Sequence, residues 1–358
     1  MTDANPAADG LSAASLEILE GGDPDELTRR VNDLVAGSRW DELVALAARC
    51  RLAFERGKQL WGVAAHIEYR LALEAPGRWG ALTLETAPGR FAFGPLPEVA
   101  ASTHTWAELS PHLHPTPQAT MSAHERVVRG DDLCGDPVAT GLPEVLDLPL
   151  RLEPWEPRYA LAEYHPDRMS APSPPLPPLR PLTASFPPVP SAGPSAGPAA
   201  RRSSPPGPAP HDEVSGALED LVSTWTEESN GQVRAVGARG RALDALGALG
   251  AGTEEIVELA PPTALALMAW AAASGGAHGR RRGAAPGRFA AWWVLATLGA
   301  RTSWPLVPDD LGAALHEARW YAWAGDERAT GWVLRLAVEA GRGPRQGWAW
   351  AISARDVT

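Results

Sequence analysis

Cysteine and lysine are almost missing from this 358-residue chain. The two cysteines, Cys50 and Cys134, supply neither a disulfide framework nor the spacing of a zinc ribbon, and each reads as a small buried apolar residue. Lys58 is the only lysine, so arginine carries the positive charge. With abundant alanine, glycine and proline, this reads as a high-GC coding bias, and arginine counts alone carry little functional weight. Long hydrophobic runs are also lacking. The two longest, 263–274 and 289–300, have about a dozen residues each, against roughly 20 for a bilayer span, so no membrane role is expected. The opening MTDANPAADG has neither the basic nor the apolar region of a secretory signal, and cytoplasmic placement is the expectation. Nor is there an excess of positive charge. A net charge of −11 and a pI near 5.3 exclude a general binder of nucleic acid or anionic membrane, because the average field opposes phosphate; nucleic acid enters only through a local basic patch.

What is present points to packed domains: 44% of residues are hydrophobic and 21% charged, and the length suits two domains. The clearest boundary is 166–211, which contains SAPSPPLPPLRPLTASFPPVPSAGPSAGPAARRSSPPGPAP. Its prolines remove backbone donors and its small residues offer nothing to pack, so it reads as a disordered or polyproline-II linker. A spacer is the favoured role, a proline-rich ligand for a groove the other. The expected division is a flexible terminus at 1–23, a helical domain at 24–165, the linker, and an α+β domain at 212–358.

The helical domain is expected to be a helical bundle or a short array of helical hairpins. DPDELTRRVNDLVAG opens with Asp23 as cap and closes on Gly37. In the next segment Trp40, Leu43, Val44, Ala47, Cys50 and Phe54 keep helical spacing, as do Leu60, Val63, Ala64, Ile67 and Leu71 after it. No fixed repeat establishes a solenoid. A further helix is expected over 116–129, and an extended edge segment over 146–155.

In the C-terminal domain, EVSGALEDLVSTWTEE reads as an amphipathic helix, and 232–248 as its continuation despite Gly237 and Gly240. The segments 263–274 and 286–299 are apolar all round and read as central buried helices. At the end the period changes to 2: Trp332, Leu334, Leu336 and Val338, then Trp348, Trp350 and Ile352, form a hairpin, with 319–323 as a third strand. Helices packed on a small antiparallel β-meander are expected. Nine of the fifteen tryptophans lie between Trp270 and Trp350; Trp332, Trp348 and Trp350 are read as the packed face of that sheet rather than a stacking platform.

The strongest candidate site is SGGAHGRRRGAAPGRFAAWW, 274–293. Between Leu259 and Pro308 there is no Asp or Glu, while Arg280, Arg281, Arg282, Arg288 and Arg301 all fall in that window. The whole of 212–358 has 17 acids against 14 arginines, so positive charge is locally concentrated. His278, Arg280, Arg281, Arg282 and Arg288 are the candidate anion-binding residues. Guanidinium forks suit phosphate or carboxylate, and Pro286 suits a helix start whose free N–H groups face the glycine-rich turn. The competing reading is a solvated turn between two apolar helices. The lack of a Lys-Ser/Thr ending excludes a P-loop, and no strand precedes a GxGxxG. His112, His114 and His124, with a carboxylate or Cys134, are a weaker metal candidate. Without HExxH or CxxC to fix geometry, neither metal nor cofactor is expected.

The phrases GGAHGRRRGAAPGRFAAWW and, at 123–133, AHERVVRGDDL resemble uncharacterised proteins of high-GC actinobacteria. That resemblance implies a host and a cytoplasmic setting, and no activity, cofactor or catalytic residue. With no catalytic constellation visible, the expected function is a non-enzymatic interaction or adaptor protein with a protein partner. The alternative is a phosphate-bearing ligand, nucleotide or nucleic acid, at the arginine-rich loop, with phosphoryl transfer the least favoured version.

Overall fold

A computed structural model describes residues 10–54, 60–85, 93–181, 212–251, 255–301, 303, 305–325 and 331–357. Two compact units emerge from the backbone packing. One comprises the described parts of Met1–Leu152 and Ala162–Ala171, the other those of Glu153–Leu161 and Pro172–Thr358. The chain therefore enters the second unit at Glu153, returns to the first at Ala162 and leaves it again after Ala171. This differs from the single boundary expected near 165.

The first unit is helical: α1 (Ala13–Gly21), α2 (Pro24–Ala36), α3 (Trp40–Phe54), α4 (Trp61–Glu74), α5 (Gly77–Leu82), α6 (Leu96–Thr103), α7 (Trp106–Leu109), α8 (Pro117–Val128) and α9 (Pro137–Thr140). Asp23 caps α2 by accepting the Asp25 and Glu26 N–H groups. Helix α4 is buried on nearly every face from Val63 to Leu73, which makes it the axis of the unit. Its Ile67 packs on one side with Leu27, Val31, Leu34, Leu43, Leu46 and Cys50. Its Tyr69 and Leu73 pack on another with Val99, Leu109 and Tyr164.

Three expectations fail in this unit. The first 23 residues contain α1, capped by Ser12, because Ser12, Ser15 and Glu42 form a polar knot that ties it down. Residues 146–155 form no strand; Leu150 gives its carbonyl to the Leu133 N–H in an irregular loop. The expected linker begins with structure, since β1 (Glu163–His165) and β2 (Arg168–Ser170) make an antiparallel hairpin. Residues 182–211, the rest of that segment, lie outside the described residues.

The second unit contains β3 (Arg180–Pro181), α10 (Glu213–Asp220), α11 (Ser223–Glu227), β4 (Gln232–Arg239), α12 (Ala242–Leu249), β5 (Glu255–Leu259), α13 (Pro261–Ala273), α14 (Ala284–Leu298), α15 (Pro308–Glu317), β6 (Arg319–Trp323), β7 (Trp332–Glu339) and β8 (Trp348–Asp356). The strands form one antiparallel sheet in the order β3-β5-β6-β7-β8-β4. The expected meander β6-β7-β8 is its centre. Strand β4 replaces the expected helix at 232–239. It pairs residue for residue with β8, and Gly237 leaves room for the Trp350 indole, where a Cβ would collide. Long-range pairing outweighed the weak helical pattern.

Alternation gives the sheet two unlike faces. One face presents Trp320, Leu334, Leu336, Trp350 and Ile352 to a helical layer that includes α10, α11 and α13. Trp225, Trp320 and Trp350 are fully buried there, and Trp292 of α14 is fully buried against Trp155 and Glu156. At about 25 cal/mol per Å², each contributes on the order of 4–6 kcal/mol of gross transfer free energy. On the opposite face the short α12 covers Val236, Ala238, Tyr321, Ala337, Ala349 and Ala351. No described helix is long and apolar enough to cross a membrane.

Glu42 accepts from the Ser12 N–H and hydroxyl, the Ser15 hydroxyl and Arg30. Burial pushes its carboxyl up, but these donors together outweigh that and hold it at about 2. A depressed folded-state value stabilises the fold above the unfolded value, and this contribution is lost as pH falls toward 2. We therefore predict that Glu42→Gln lowers unfolding free energy at neutral pH by on the order of 3 kcal/mol. Denaturant unfolding between pH 7 and 2.5 should show the two proteins converging below about pH 4. A constant gap across that range contradicts the assignment.

Candidate functional site

The loop 274–283 joins two helices that are buried almost throughout, so its backbone has to find partners outside them. The Ser274 carbonyl accepts from the Thr224 hydroxyl, and its own hydroxyl accepts from the Trp225 indole N–H at 2.8 Å. The Ala277 N–H donates to Asp356 Oδ2 at 2.6 Å, and the Arg280 N–H to Glu228 Oε2 at 2.9 Å. The Arg282 N–H returns to the Ala273 carbonyl. Gly276 has φ +67°, and a Cβ there would strike Asp356 and Trp225, so glycine is needed both for the backbone and for the close approach. The loop does bind anions, and they are carboxylates of its own fold.

The five candidate residues separate into two sets. His278, Arg280 and Arg282 are exposed, while Arg281 and Arg288 are buried. Arg288 departs furthest from expectation. It is fully enclosed and donates to Glu156 through Nε at 2.8 Å and Nη2 at 2.7 Å. The same carboxylate accepts from the Tyr159 hydroxyl, the Trp292 indole and the Glu153 N–H. Burial, and then the charge of Glu156, pushes the Tyr159 phenol well up, so it stays a donor. Arg288 is therefore removed from any anion site at the loop. Nothing in the local sequence announced this, because Glu156 is 132 residues away.

The three candidate metal histidines are not brought together. His114 is exposed and pairs with Glu85, His112 sits in a one-turn helix, and His124 is buried in α8. No group of three or more His, Cys, Asp or Glu among the described residues is placed to hold a metal. The His104 ring sits with Nε2 2.7 Å from the Ala75 carbonyl oxygen and Nδ1 3.0 Å from that of Ala100, a structural use. Cys50 is buried, its thiol pushed up to about 12 by burial; Cys134 is exposed, contrary to expectation.

A second basic surface, absent from the sequence reading, lies on the α12 face of the sheet. Arg335 of β7 and Arg234 of β4 flank Ser353 of β8 in one cross-strand row, and Arg355 stands beside Gln232 and Val333 in the next. With Trp323 and the end of α12 at Leu249–Ala251 they line a groove of about 360 Å³. Its described lining contains no acid. The register of β7 and β8 puts Arg335, Ser353 and Arg355 on the face opposite the tryptophans. Arg234 was hidden by the helical reading of β4.

The chain belongs to a family of unknown function, DUF6183, matched over residues 25–341. No curated protein and no solved structure matches it. The family match carries neither an activity nor a source organism.

Removing one partner of a buried ion pair leaves an uncompensated charge, at a cost of about 3–5 kcal/mol. Glu156→Gln is expected to lower the thermal midpoint of the second unit by on the order of 10 °C. The measurement is far-UV circular dichroism against temperature. A midpoint within about 2 °C of wild type shows that the pair does not hold segment 153–161 to α14.

Proposed function

We propose that this is a cytoplasmic, non-enzymatic recognition protein whose second unit engages an acidic protein partner through Arg280 and Arg282. The observation that carries this reading is the fixed backbone of 274–283. Asp356, Glu228, Thr224 and Trp225 hold the loop from behind and leave His278, Arg280 and Arg282 facing solvent. Side chains displayed on an ordered loop lose less freedom on binding than those on a loose one. Guanidinium forks suit partner carboxylates.

Phosphate binding at this loop is less well supported. The Ala277 and Arg280 N–H groups, which would grip a phosphate, already serve Asp356 and Glu228, and Arg288 serves Glu156. Structural use of buried polar groups supports the non-enzymatic reading: Glu42, Glu156 and His104 all hold their own fold together. An adaptor role, with the two units of the chain as its modules, remains part of the proposal; residues 182–211 lie outside the described residues.

The test is binding of a fluorescent polyglutamate peptide to the full chain, compared with an Arg280→Ser/Arg282→Ser variant. Binding should weaken as salt rises and drop by about tenfold in the variant, with unfolding temperature unchanged. Equal binding by both proteins, or no binding by either, overturns the assignment of the loop.

A further inference from the structure

We propose that residues 172–180, PSPPLPPLR, are a preformed polyproline-II ligand for a partner protein that carries an aromatic-lined groove with a carboxylate at one end. The segment is separate from the loop 274–283 and does not depend on the role proposed for that loop. Its conformation follows from the sequence. Five of the seven residues 172–178 are proline, which fixes φ near about −65°. Ser173, Pro174, Leu176 and Pro177 each precede a proline, which drives their ψ into the extended range. Every residue from Pro172 to Pro178 is therefore under one constraint or both, and the conformation they select is the left-handed polyproline-II helix. Residues 172–179 accordingly belong to no helix, strand or turn.

With about three residues per turn, such a helix carries three ridges. Pro172, Pro175 and Pro178 form one, and all three are exposed. Ser173, Leu176 and Leu179 form the next, where Leu176 is 45% exposed, one of the few large apolar side chains left in water. Pro174, on the third ridge, is buried, and Arg180–Pro181 pair with β5. The segment is thus held at two points while its proline and leucine ridges face solvent. A plain spacer needs neither a buried anchor nor an apolar ridge kept in water. A ligand gains from both, because its bound conformation exists before the partner arrives and little freedom is lost on docking.

The chemistry of the ridges defines the partner. Pro175 and Pro178 stand about 9 Å apart along the helix, with Leu176 beside them, a spacing that suits slots between aromatic rings. Proline nitrogens carry no hydrogen, so the backbone here offers carbonyl oxygens and few donors. Residues 172–178 make no hydrogen bond among the described residues, so those carbonyls are available. Indole N–H and tyrosine O–H groups, which aromatic slots bring with them, are the matching donors. Arg180 follows at the end, exposed and without an ion pair among the described residues. Its guanidinium fork calls for a carboxylate beside the groove and fixes the direction in which the segment lies.

The test titrates the unlabelled full chain into two isotope-labelled probes, an isolated SH3 module with acids at one end of its groove and an isolated WW module, followed by NMR. Saturable movement of the groove tryptophan indole N–H resonance is expected in at least one of them. Pro175→Ala/Pro178→Ala should weaken that binding by about tenfold or more, and Arg180→Ser should weaken binding to the acidic SH3 groove by about fivefold, less so at high salt. Arg280→Ser/Arg282→Ser should bind as wild type does, which separates this segment from the loop. Because the substituted prolines are exposed, the thermal midpoint of the double-alanine variant should stay within about 3 °C of wild type. A larger fall shows that these rings pack on their own chain and overturns the proposal. So does the absence of a saturable groove shift with both modules, and so does binding indifferent to Pro175→Ala/Pro178→Ala.

Discussion

The ion pair between Arg288 and Glu156 is the constraint around which the second unit is arranged. Neither partner is accessible to water, and two charges in that setting are tolerable only if their hydrogen-bonding positions are filled. Two guanidinium N–H groups, a phenol, an indole and a backbone N–H meet that demand. Helix α14 is thereby held against a segment from far earlier in the chain. The orientation of that helix in turn fixes where the arginine-rich loop begins and ends.

The absence of acids between Leu259 and Pro308 takes on a structural meaning. Carboxylates that complement this window come from elsewhere in the fold: Glu156 for Arg288, Glu228 for the Arg280 N–H, Asp356 for the Ala277 N–H and Asp310 for Arg301. Local charge excess in a sequence is thus a poor measure of local charge excess in the folded molecule. The loop keeps only its outward arginines, while the sheet surface gathers three from strands widely separated along the chain.

Much of the fold was legible where a single period ran long enough. The first three expected helices match α2, α3 and α4, the two all-apolar helices match α13 and α14, and the alternating tryptophans fall on the buried side of β7 and β8. Legibility failed where the deciding partner was remote. Residues 232–239 carried a mixed pattern, and only eight-residue pairing with β8 made them a strand. Ser12 and Ser15 gave no hint of α1 because Glu42, which holds them, lies about 30 residues on. For the site, the exposed arginines were read from their own neighbourhood. The burial of Arg288 and the row Arg335–Ser353–Arg234 depended on packing and register, which a one-dimensional pattern does not contain.

The path of residues 153–161 bears on how this protein can be dissected. Because these residues belong to the second unit while 162–171 belong to the first, no single cut separates the two. A fragment beginning at residue 212 would carry α14 without Glu156, leaving a guanidinium sealed in the interior with no counter-ion, and would also lack the edge strand at Arg180–Pro181. The smallest heritable piece of the second unit is therefore not a contiguous stretch of gene. Any natural or engineered rearrangement that moves it must take the preceding segment along.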